Sequence, residues 1–395
     1  MHDALNPACC DWDVVDGKFK HQVINIMTAP LKERMTRHIT MNGPLPLAEF
    51  MHWALADKTH GYYQTQNAFG REGDFITAPE VSQMFGELIG IWAIKAWHSL
   101  GKPNPFNLVE LGPGNGTLMS DLLRATKIDP DFATAANVAM IETSDRLIAE
   151  QQKALKGYEH VRWHKSLDDI ADLPIVLIGN ELLDALPPRQ YVKHNEDWFE
   201  RGIGVDESDA LVWIAIPTSK LEASALPNGH EEEPNGSILE ISTIRESFVQ
   251  RVAEQIAKNS GAALFIDYGH VQSSYGDTFQ AMMQHEYTDP LLSPGEADLT
   301  SHVDFEPLIK MARQSGCTTM PIMTQGEFLL ALGLLERAGH LGTGKSHAEQ
   351  ARITREAERL ALPHEMGDLF KVFAFCSCDR LWPFTEIANE NAPGI

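Results

Sequence analysis

Five short apolar runs alternate with amphipathic segments along the chain, and this alternation constrains the fold more than any other feature. The runs predict strands at residues 107–111, 137–142, 161–164, 175–180 and 262–267. Segments with helical periodicity separate most of them, and strands that alternate with helices are typical of a parallel sheet covered by helices. The sequence therefore predicts an α/β fold of the Rossmann-like class.

Four regions add to this core. Apolar residues recur at helical spacing in residues 31–58 and 81–99, which predicts an N-terminal helical cap followed by a further helix. Between the fourth and fifth strands, residues 189–217 alternate apolar and polar side chains, which predicts an inserted antiparallel β meander. Residues 369–381 form another apolar run, which predicts a strand that closes the sheet.

The 395 residues are too many for one minimal domain, so we expect a main domain with large additions. The first 26 residues lack apolar periodicity, a signal-peptide stretch and the features of a typical transit peptide, which predicts a disordered leader and a cytoplasmic protein. The expected division is a leader at 1–26, a helical cap with a cofactor-covering loop at 27–100, the first part of the core at 101–190, a β insertion and loop at 191–261, and the second part of the core with helical additions at 262–395.

The formal net charge is −23, from 55 acidic and 32 basic residues. A surface of this sign repels phosphate groups, so binding to nucleic acid is not expected. No apolar run approaches the roughly 20 residues that a membrane-spanning helix needs. The cysteines lack the C-x2-C spacing of a zinc site, so no metal centre is predicted. The composition leaves the oligomeric state open.

A glycine loop follows the first predicted strand directly. Gly112, Gly114 and Gly116 alternate with other residues between this strand and the next helix, at the sheet edge where Rossmann-like proteins bind nucleotides. Glycines allow a ligand to approach the backbone closely. The spacing G-x-G-x-G differs from the G-x-G-x-x-G that binds a dinucleotide pyrophosphate.

This spacing favours S-adenosylmethionine, which has no phosphate and needs close backbone approach more than an anion site. Glu110 suits the cationic methionine end of that cofactor, and Glu142, at the end of the second strand, can accept hydrogen bonds from both ribose hydroxyls. The alternative is that the glycines form only a tight turn and that Glu142 is a surface acid.

Polar side chains also cluster where the fourth and fifth strands end. Asn180, Glu181 and Asp184 follow the fourth strand, and Asp267 ends the fifth. Catalytic groups gather at this edge of such folds, so these four residues are predicted to be catalytic. Alternatively, Asp184 caps a short helix and Glu181 pairs with a basic residue.

Six ordered blocks between His60 and Asp379 resemble the MidA family, which includes the mitochondrial complex I assembly factor that acts on an arginine. The blocks are GYY at 61–63, GDFITAPEVSQ at 73–83, the glycine loop, NELLDALP at 180–187, IDYG at 266–269 and PGEADLTSHVDF at 294–305. The resemblance implies a Rossmann-like sheet, S-adenosylmethionine as cofactor and methylation of a protein arginine. It also implies that residues 73–83 fold over the cofactor and that Asp74 and Gln83 contact the cofactor.

In this interpretation Glu181 is the main acceptor-binding carboxylate, because it can accept two parallel hydrogen bonds from a guanidinium, while Asp184 or Asp267 takes the proton. His302 and Asp304 are predicted to form a polar pair over the acceptor, although a structural histidine is an equal alternative. Two other functions stay open. They are methylation of a small molecule or another protein group, and a cofactor-binding assembly factor with little turnover.

A second phosphate-binding pattern occurs near the C-terminus. Residues 339–346 match G-x-x-x-x-G-K-[ST], the P-loop pattern, which requires a preceding β-strand. Residues 327–338 instead show helical periodicity, and Gly339 is then predicted to terminate that helix. Nucleotide hydrolysis is therefore a weak alternative.

Overall fold

The computed structural model describes residues 29–66, 76–195, 197–218 and 232–384. The predicted leader, residue Asp74 and part of the loop predicted within residues 191–261 lie outside the described residues.

The described strands form three sheets. In chain order they are β1 (Leu45–Pro46), β2 (Phe106–Leu111), β3 (Ala136–Ile141), β4 (Val161–His164), β5 (Ile175–Asn180), β6 (Arg189–His194), β7 (Asp197–Val205), β8 (Leu211–Pro217), β9 (Ile238–Ile241), β10 (Gly261–His270), β11 (Gln280–Met283), β12 (Glu286–Thr288), β13 (Asp298–Thr300), β14 (Val303–Asp304), β15 (Thr318–Thr319), β16 (Met323–Thr324) and β17 (Phe370–Cys376).

The described α-helices cover the sheets or join their strands. In chain order they are α1 (Leu31–Asn42), α2 (Leu47–Ala56), α3 (Tyr62–Thr65), α4 (Ala78–Val81), α5 (Gln83–Ser99), α6 (Thr117–Ala125), α7 (Pro130–Ala135), α8 (Asp145–Ala154), α9 (Thr243–Asn259), α10 (Phe305–Gln314), α11 (Gln325–Ala331), α12 (Leu334–Gly342) and α13 (His347–Ala361).

The central sheet has the predicted Rossmann-like arrangement. Its order is β15-β17-β10-β5-β2-β3-β4, with β14 beside β10 and β16 beside β17. Strands β4, β3, β2, β5 and β10 are parallel, whereas β17 runs antiparallel to β10. The five predicted parallel strands and the predicted closing strand are therefore confirmed. Their carboxyl ends meet at one edge of the sheet, which we call the carboxyl edge.

Helices cover both faces of this sheet because alternate side chains of each strand point to opposite sides. Leu108 packs with α5 and α6 in one apolar core, where Trp92 and Phe85 are fully buried. Val109, the next residue, packs in a second core with α9 and α10. Truncating an aromatic side chain in either core would cost about 3–5 kcal/mol of folding free energy.

The predicted β insertion is present and larger than expected. Strands β6, β7 and β8 form an antiparallel sheet that also takes in β1 and β9. A third, small sheet contains β11, β12 and β13. Helices α1 and α2, predicted as a cap before the main sheet, share an apolar core with the insertion through Phe50, Met51 and Ile203. The cap and the insertion thus stabilise each other.

The P-loop pattern lies between two helices and not after a strand. It begins inside α12, which ends at Gly342, and it reaches the start of α13. The prediction that Gly339 terminates a helix is wrong, because the helix continues for three more residues. In the part of the chain that the structure describes, no helix has the length and apolar character needed to cross a membrane.

Candidate active site

The glycine loop turns sharply between β2 and α6 at the carboxyl edge. The backbone φ angles of Gly112, Gly114 and Gly116 are 58°, 54° and 82°, values that residues with a side chain rarely adopt. A Cβ atom at Gly112 would lie 2.8 Å from a methyl carbon of Leu182. The loop therefore needs glycine both for its backbone conformation and for the space above it.

One buried glutamine joins this loop to Glu142 at the end of β3. The Nε2 atom of Gln151 donates to the carbonyl oxygen of Gly114 at 2.9 Å and to Oε2 of Glu142 at 3.2 Å. Trp163 in turn donates to Oε1 of Gln151 at 2.9 Å, and Gln151 has no exposed surface. Its amide thus holds the loop and the carboxylate in a fixed relation.

Glu142 lines the cavity, although the residue as a whole is buried. Its Oε1 accepts the backbone N–H of Ser144 at 2.7 Å. Burial raises the pKa of Glu142, while the Ser144 N–H and the Gln151 amide stabilise the charged form. A carboxylate held in this way can accept hydrogen bonds from a vicinal diol, as predicted for the ribose.

A cavity of about 370 Å³ runs along the carboxyl edge and brings several predicted site residues together. Its volume and its mixed apolar and polar lining suit a nucleoside. Gly112, Gly114, Glu142 and Glu181 all line it. The other lining residues are Tyr63, Leu111, Ile141, Thr143, Ser144, Leu147, Lys165, Ser166, Leu167, Asp168, Leu182, Ala185, Leu186, Phe248, Arg251, Val252 and Gln255.

A second cavity, of about 30 Å³, adjoins it on the other side of Gly112 and Glu181. Glu110 and Asn180 line this smaller cavity. Among the described residues, Oε2 of Glu110 and Oδ1 of Asn180 are buried without a hydrogen-bond partner. Burial raises the pKa of Glu110 well above its usual value. These two oxygens are acceptors that suit an ammonium group.

Glu181 lies where the two cavities meet, directly after β5. It has a φ of 49°, which costs a non-glycine residue on the order of 1 kcal/mol or more. Its Oε1 accepts the backbone N–H of Ala78 and the amide of Asn180, both at 2.9 Å. Burial raises the pKa of Glu181 to about 7, despite these two hydrogen bonds.

Asp267 and Asp184 lie behind Glu181 and line neither cavity. Oδ2 of Asp267 accepts the backbone N–H groups of Leu182, Leu183 and Asp184 at 2.8–3.2 Å. Oδ2 of Asp184 accepts the hydroxyl of Tyr268 at 2.6 Å. Both carboxylates thus fix the turn after β5, and the structure gives neither a contact with the cavity.

Arg245, at the start of α9, is a buried residue that the sequence analysis missed. Its guanidinium donates to the carbonyl oxygens of Leu186, His302 and Asp184 and to the hydroxyl of Ser301. Burial lowers its pKa, against the nearby carboxylates of Asp267 and Asp184. The residue ties the turn after β5 to the segment before β14.

His302 and Asp304 line a separate cavity of about 290 Å³ and do not pair with each other over Glu181. Asp304 accepts the backbone N–H of Glu306 at the start of α10, and the ring of His302 packs against Tyr268. Gln83 begins α5 and donates to Glu87. The structure therefore separates these three residues from the glycine loop, and it favours the structural alternative for His302.

Two further site residues, one that lines the cavity and one that supports it, could have been found from the sequence. Lys165 follows β4, so the carboxyl-edge rule that selected Glu142 also applies to it. Gln151 lies four residues after Leu147 on the buried face of α8, where a polar residue is unusual. Nothing in the local pattern distinguishes Arg245, because its partners come from distant segments.

The sequence matches a protein family over residues 88–323, more than half of the chain. The family is described as S-adenosyl-L-methionine-dependent methyltransferases. The chain belongs to this methyltransferase family. Its cofactor is therefore S-adenosylmethionine. A solved structure of a protein from Burkholderia thailandensis, bound to S-adenosyl-homocysteine, supports the same cofactor. It is 25% identical in sequence to this chain, and the two superpose with a TM-score of 0.78 over 93% of this chain and 96% of that one.

Curated relatives share this similarity over most of their length. The Drosophila melanogaster protein named as a homologue of protein arginine methyltransferase NDUFAF7, mitochondrial, is 35% identical over 87% of this chain and 84% of its own. The Homo sapiens protein arginine methyltransferase NDUFAF7, mitochondrial, is 32% identical over 89% and 84%. These names contradict the expectation of a cytoplasmic protein, because both relatives are mitochondrial.

The residues at the carboxyl edge fit S-adenosylmethionine. Gly112 and Gly114 of the glycine loop line the large cavity, and Glu142 presents its carboxylate there. The acceptor oxygens of Glu110 and Asn180 in the small cavity match the ammonium of the methionine end. When bound, the cofactor supplies a methyl group on a positively charged sulfur.

Proposed function

We propose that this methyltransferase methylates an arginine of a protein, with Glu181 as the carboxylate that holds the guanidinium. The names of the Drosophila and human relatives support an arginine as the acceptor. The observation that carries the proposal for the site is the position of Glu181, at the junction of the two cavities, with its Oε1 fixed by Ala78 and Asn180.

A guanidinium is planar and stays protonated, so an enzyme must orient one nitrogen and receive one proton as the new bond forms. Oε2 of Glu181, to which neither Ala78 nor Asn180 donates, can accept hydrogen bonds from the guanidinium and turn one of its nitrogens toward the methyl group. That nitrogen forms a bond to the methyl carbon as the carbon–sulfur bond breaks. The nitrogen loses a proton, and the product guanidinium keeps one positive charge.

We also propose that Glu181 itself receives this proton. Asp184 and Asp267 were the alternatives, but their oxygens are directed at Tyr268 and at backbone N–H groups behind the turn. Of these three acids, only Glu181 lines the cavity, and burial raises its pKa to about 7. A base with a pKa near the working pH is efficient in proton transfer.

The acceptor class is tested by incubating the protein with S-adenosylmethionine labelled on its methyl group, together with a mitochondrial or bacterial lysate. We expect label in a protein band, recovered as methylarginine after acid hydrolysis. A denatured enzyme is the control for non-enzymatic labelling. Label confined to small molecules would support the small-molecule alternative, and no label would support an assembly factor with little turnover.

The pH dependence of kcat/KM follows from the raised pKa of Glu181. The guanidinium needs the ionised carboxylate, so kcat/KM should rise with pH and level off above an apparent pKa of about 7. Below that pKa, the ionised fraction falls about tenfold for each pH unit. The profile is measured on an acceptor peptide at fixed ionic strength. A flat profile between pH 5.5 and about 7 would contradict the assignment.

A further inference from the structure

Two thiols lie side by side at the end of β17. Cys376 is the last residue of this strand, Cys378 follows two residues later, and their sulfur atoms are 2.7 Å apart. Disulfide bonds have a sulfur–sulfur distance near 2.05 Å, so a small movement would bring the two sulfurs to bonding distance. The chain bends between them, which allows side chains two residues apart to meet.

This pair lies far from the carboxyl edge. Strand β17 is antiparallel to β10, and Cys376 pairs with Ala262 near the start of β10, whereas Tyr268 near its end pairs with Phe370. Six residues of strand at about 3.3 Å each separate the two levels, a distance of roughly 20 Å. Chemistry at the thiols therefore has no direct contact with the methyl-transfer site.

The two thiols differ in accessibility and acidity. Cys378 is partly exposed, whereas Cys376 is fully buried and its thiol donates to the carbonyl oxygen of Cys378 at 2.8 Å. The hydrogen bond between the thiols lowers the pKa of Cys378 to about 7 and raises that of Cys376. An accessible thiol of low pKa beside a buried one is the arrangement of an attacking and a resolving cysteine.

We propose that Cys376 and Cys378 form a redox-active dithiol that reacts with small-molecule disulfides, such as oxidised glutathione, and closes an internal disulfide bond. The Cys378 thiolate attacks one sulfur of the small disulfide, which releases one thiolate and leaves a mixed disulfide. Cys376 then loses its proton and attacks the Cys378 sulfur, which releases the second thiolate. Two protein thiols are oxidised, and one small disulfide is reduced to two thiols.

The third described cysteine serves as an internal comparison. Cys317 is buried, donates to the carbonyl oxygen of Ala253 at 3.3 Å, and has a pKa that burial raises to about 11. A buried thiol of raised pKa reacts slowly. We expect it to stay reduced under conditions that oxidise the pair.

The test uses the full chain, treated with oxidised glutathione or with dithiothreitol, then denatured, alkylated with iodoacetamide and digested with trypsin. Cleavage after Lys371 and Arg380 gives a peptide, 372–380, that contains both cysteines and no other. After oxidation we expect this peptide without alkyl groups and lighter by two hydrogens than its reduced form. After reduction we expect two alkyl groups. The peptide with Cys317 should carry one alkyl group in both samples.

Two single variants test the order of attack. In Cys376→Ser the mixed disulfide should accumulate on Cys378, because the resolving thiol is missing. In Cys378→Ser the reaction with oxidised glutathione should be slower by roughly tenfold or more, since only the buried thiol remains. Two alkyl groups on peptide 372–380 after oxidation, or a disulfide from either cysteine to Cys317, would overturn the proposal. Because the thiols lie far from the methyl-transfer site, the affinity for the cofactor should be the same in both redox states. The alkylation test uses no methyl acceptor, so its result does not depend on the proposed function.

Discussion

Replacing Glu181 by glutamine should lower methyl transfer by about two orders of magnitude or more, while the affinity for S-adenosylmethionine changes little. The substitution keeps the size of the side chain and its hydrogen bond from Ala78. It removes the charge that orients the guanidinium and the group that receives the proton. Single-turnover transfer of labelled methyl to the acceptor measures the first effect, and calorimetry with the cofactor measures the second.

Glu246 provides a matched control for this variant. It is another glutamate whose pKa burial raises, but it lines the separate cavity that contains His302 and Asp304. Glu246→Gln should therefore transfer methyl groups at nearly the normal rate. Normal transfer by Glu181→Gln would remove Glu181 from the proposed role. Loss of cofactor binding by that variant would instead assign Glu181 to the donor site.

The second large effect is expected from combining Gly114→Val with Glu142→Ala. A hydrogen bond to a charged group contributes about 1.5–3 kcal/mol, and valine at a φ of 54° strains the loop and fills the space beside the cavity. The affinity for S-adenosylmethionine should fall by about a hundredfold or more, as measured by calorimetry. The cofactor should correspondingly lose its ability to raise the melting temperature of the variant.

Gly344→Val is the matched control for the glycine substitution. Gly344 also has a positive φ, of 73°, but it lies between α12 and α13 with no atom within 4 Å of an added Cβ. It tests whether strain at a left-handed glycine is enough to disturb binding. Unchanged affinity in the combined variant would show that the cofactor binds elsewhere, for example in the apolar groove of about 870 Å³ between α11, α12 and α13.

The core strands could be predicted because each is a buried run with a clear period. The boundaries of β4 and β5 agree with the predictions, and the carboxyl-edge rule correctly brings Gly112, Glu142 and Glu181 to one cavity. Periodicity describes only local order, however. It could not show that β1 joins the inserted sheet, because that pairing connects Leu45 with Ile203, far along the chain.

The predicted roles of individual acids were harder to derive. Position at the carboxyl edge selected Asp267 as well as Glu181, but the direction of a side chain depends on the turn that follows. The Asp267 carboxylate faces the N–H groups of Leu182, Leu183 and Asp184, so it stabilises the turn. His302 and Asp304 are close in sequence, yet Asp304 lies at a helix start and points to Glu306.

The position of Gln151 has a thermodynamic consequence for cofactor binding. Because one amide bonds both the Gly114 carbonyl and the Glu142 carboxylate, the two halves of the donor site are energetically coupled. Substitutions at residues that share a partner do not contribute independently, and their interaction energies are typically 0.5–3 kcal/mol. The losses caused by Gly114→Val and Glu142→Ala should therefore not be additive. Glu142→Ala removes one acceptor of this amide, and the strain of Gly114→Val displaces the carbonyl that is the other. After either substitution Gln151 restrains the site less, so the second substitution has less ordered structure left to disrupt.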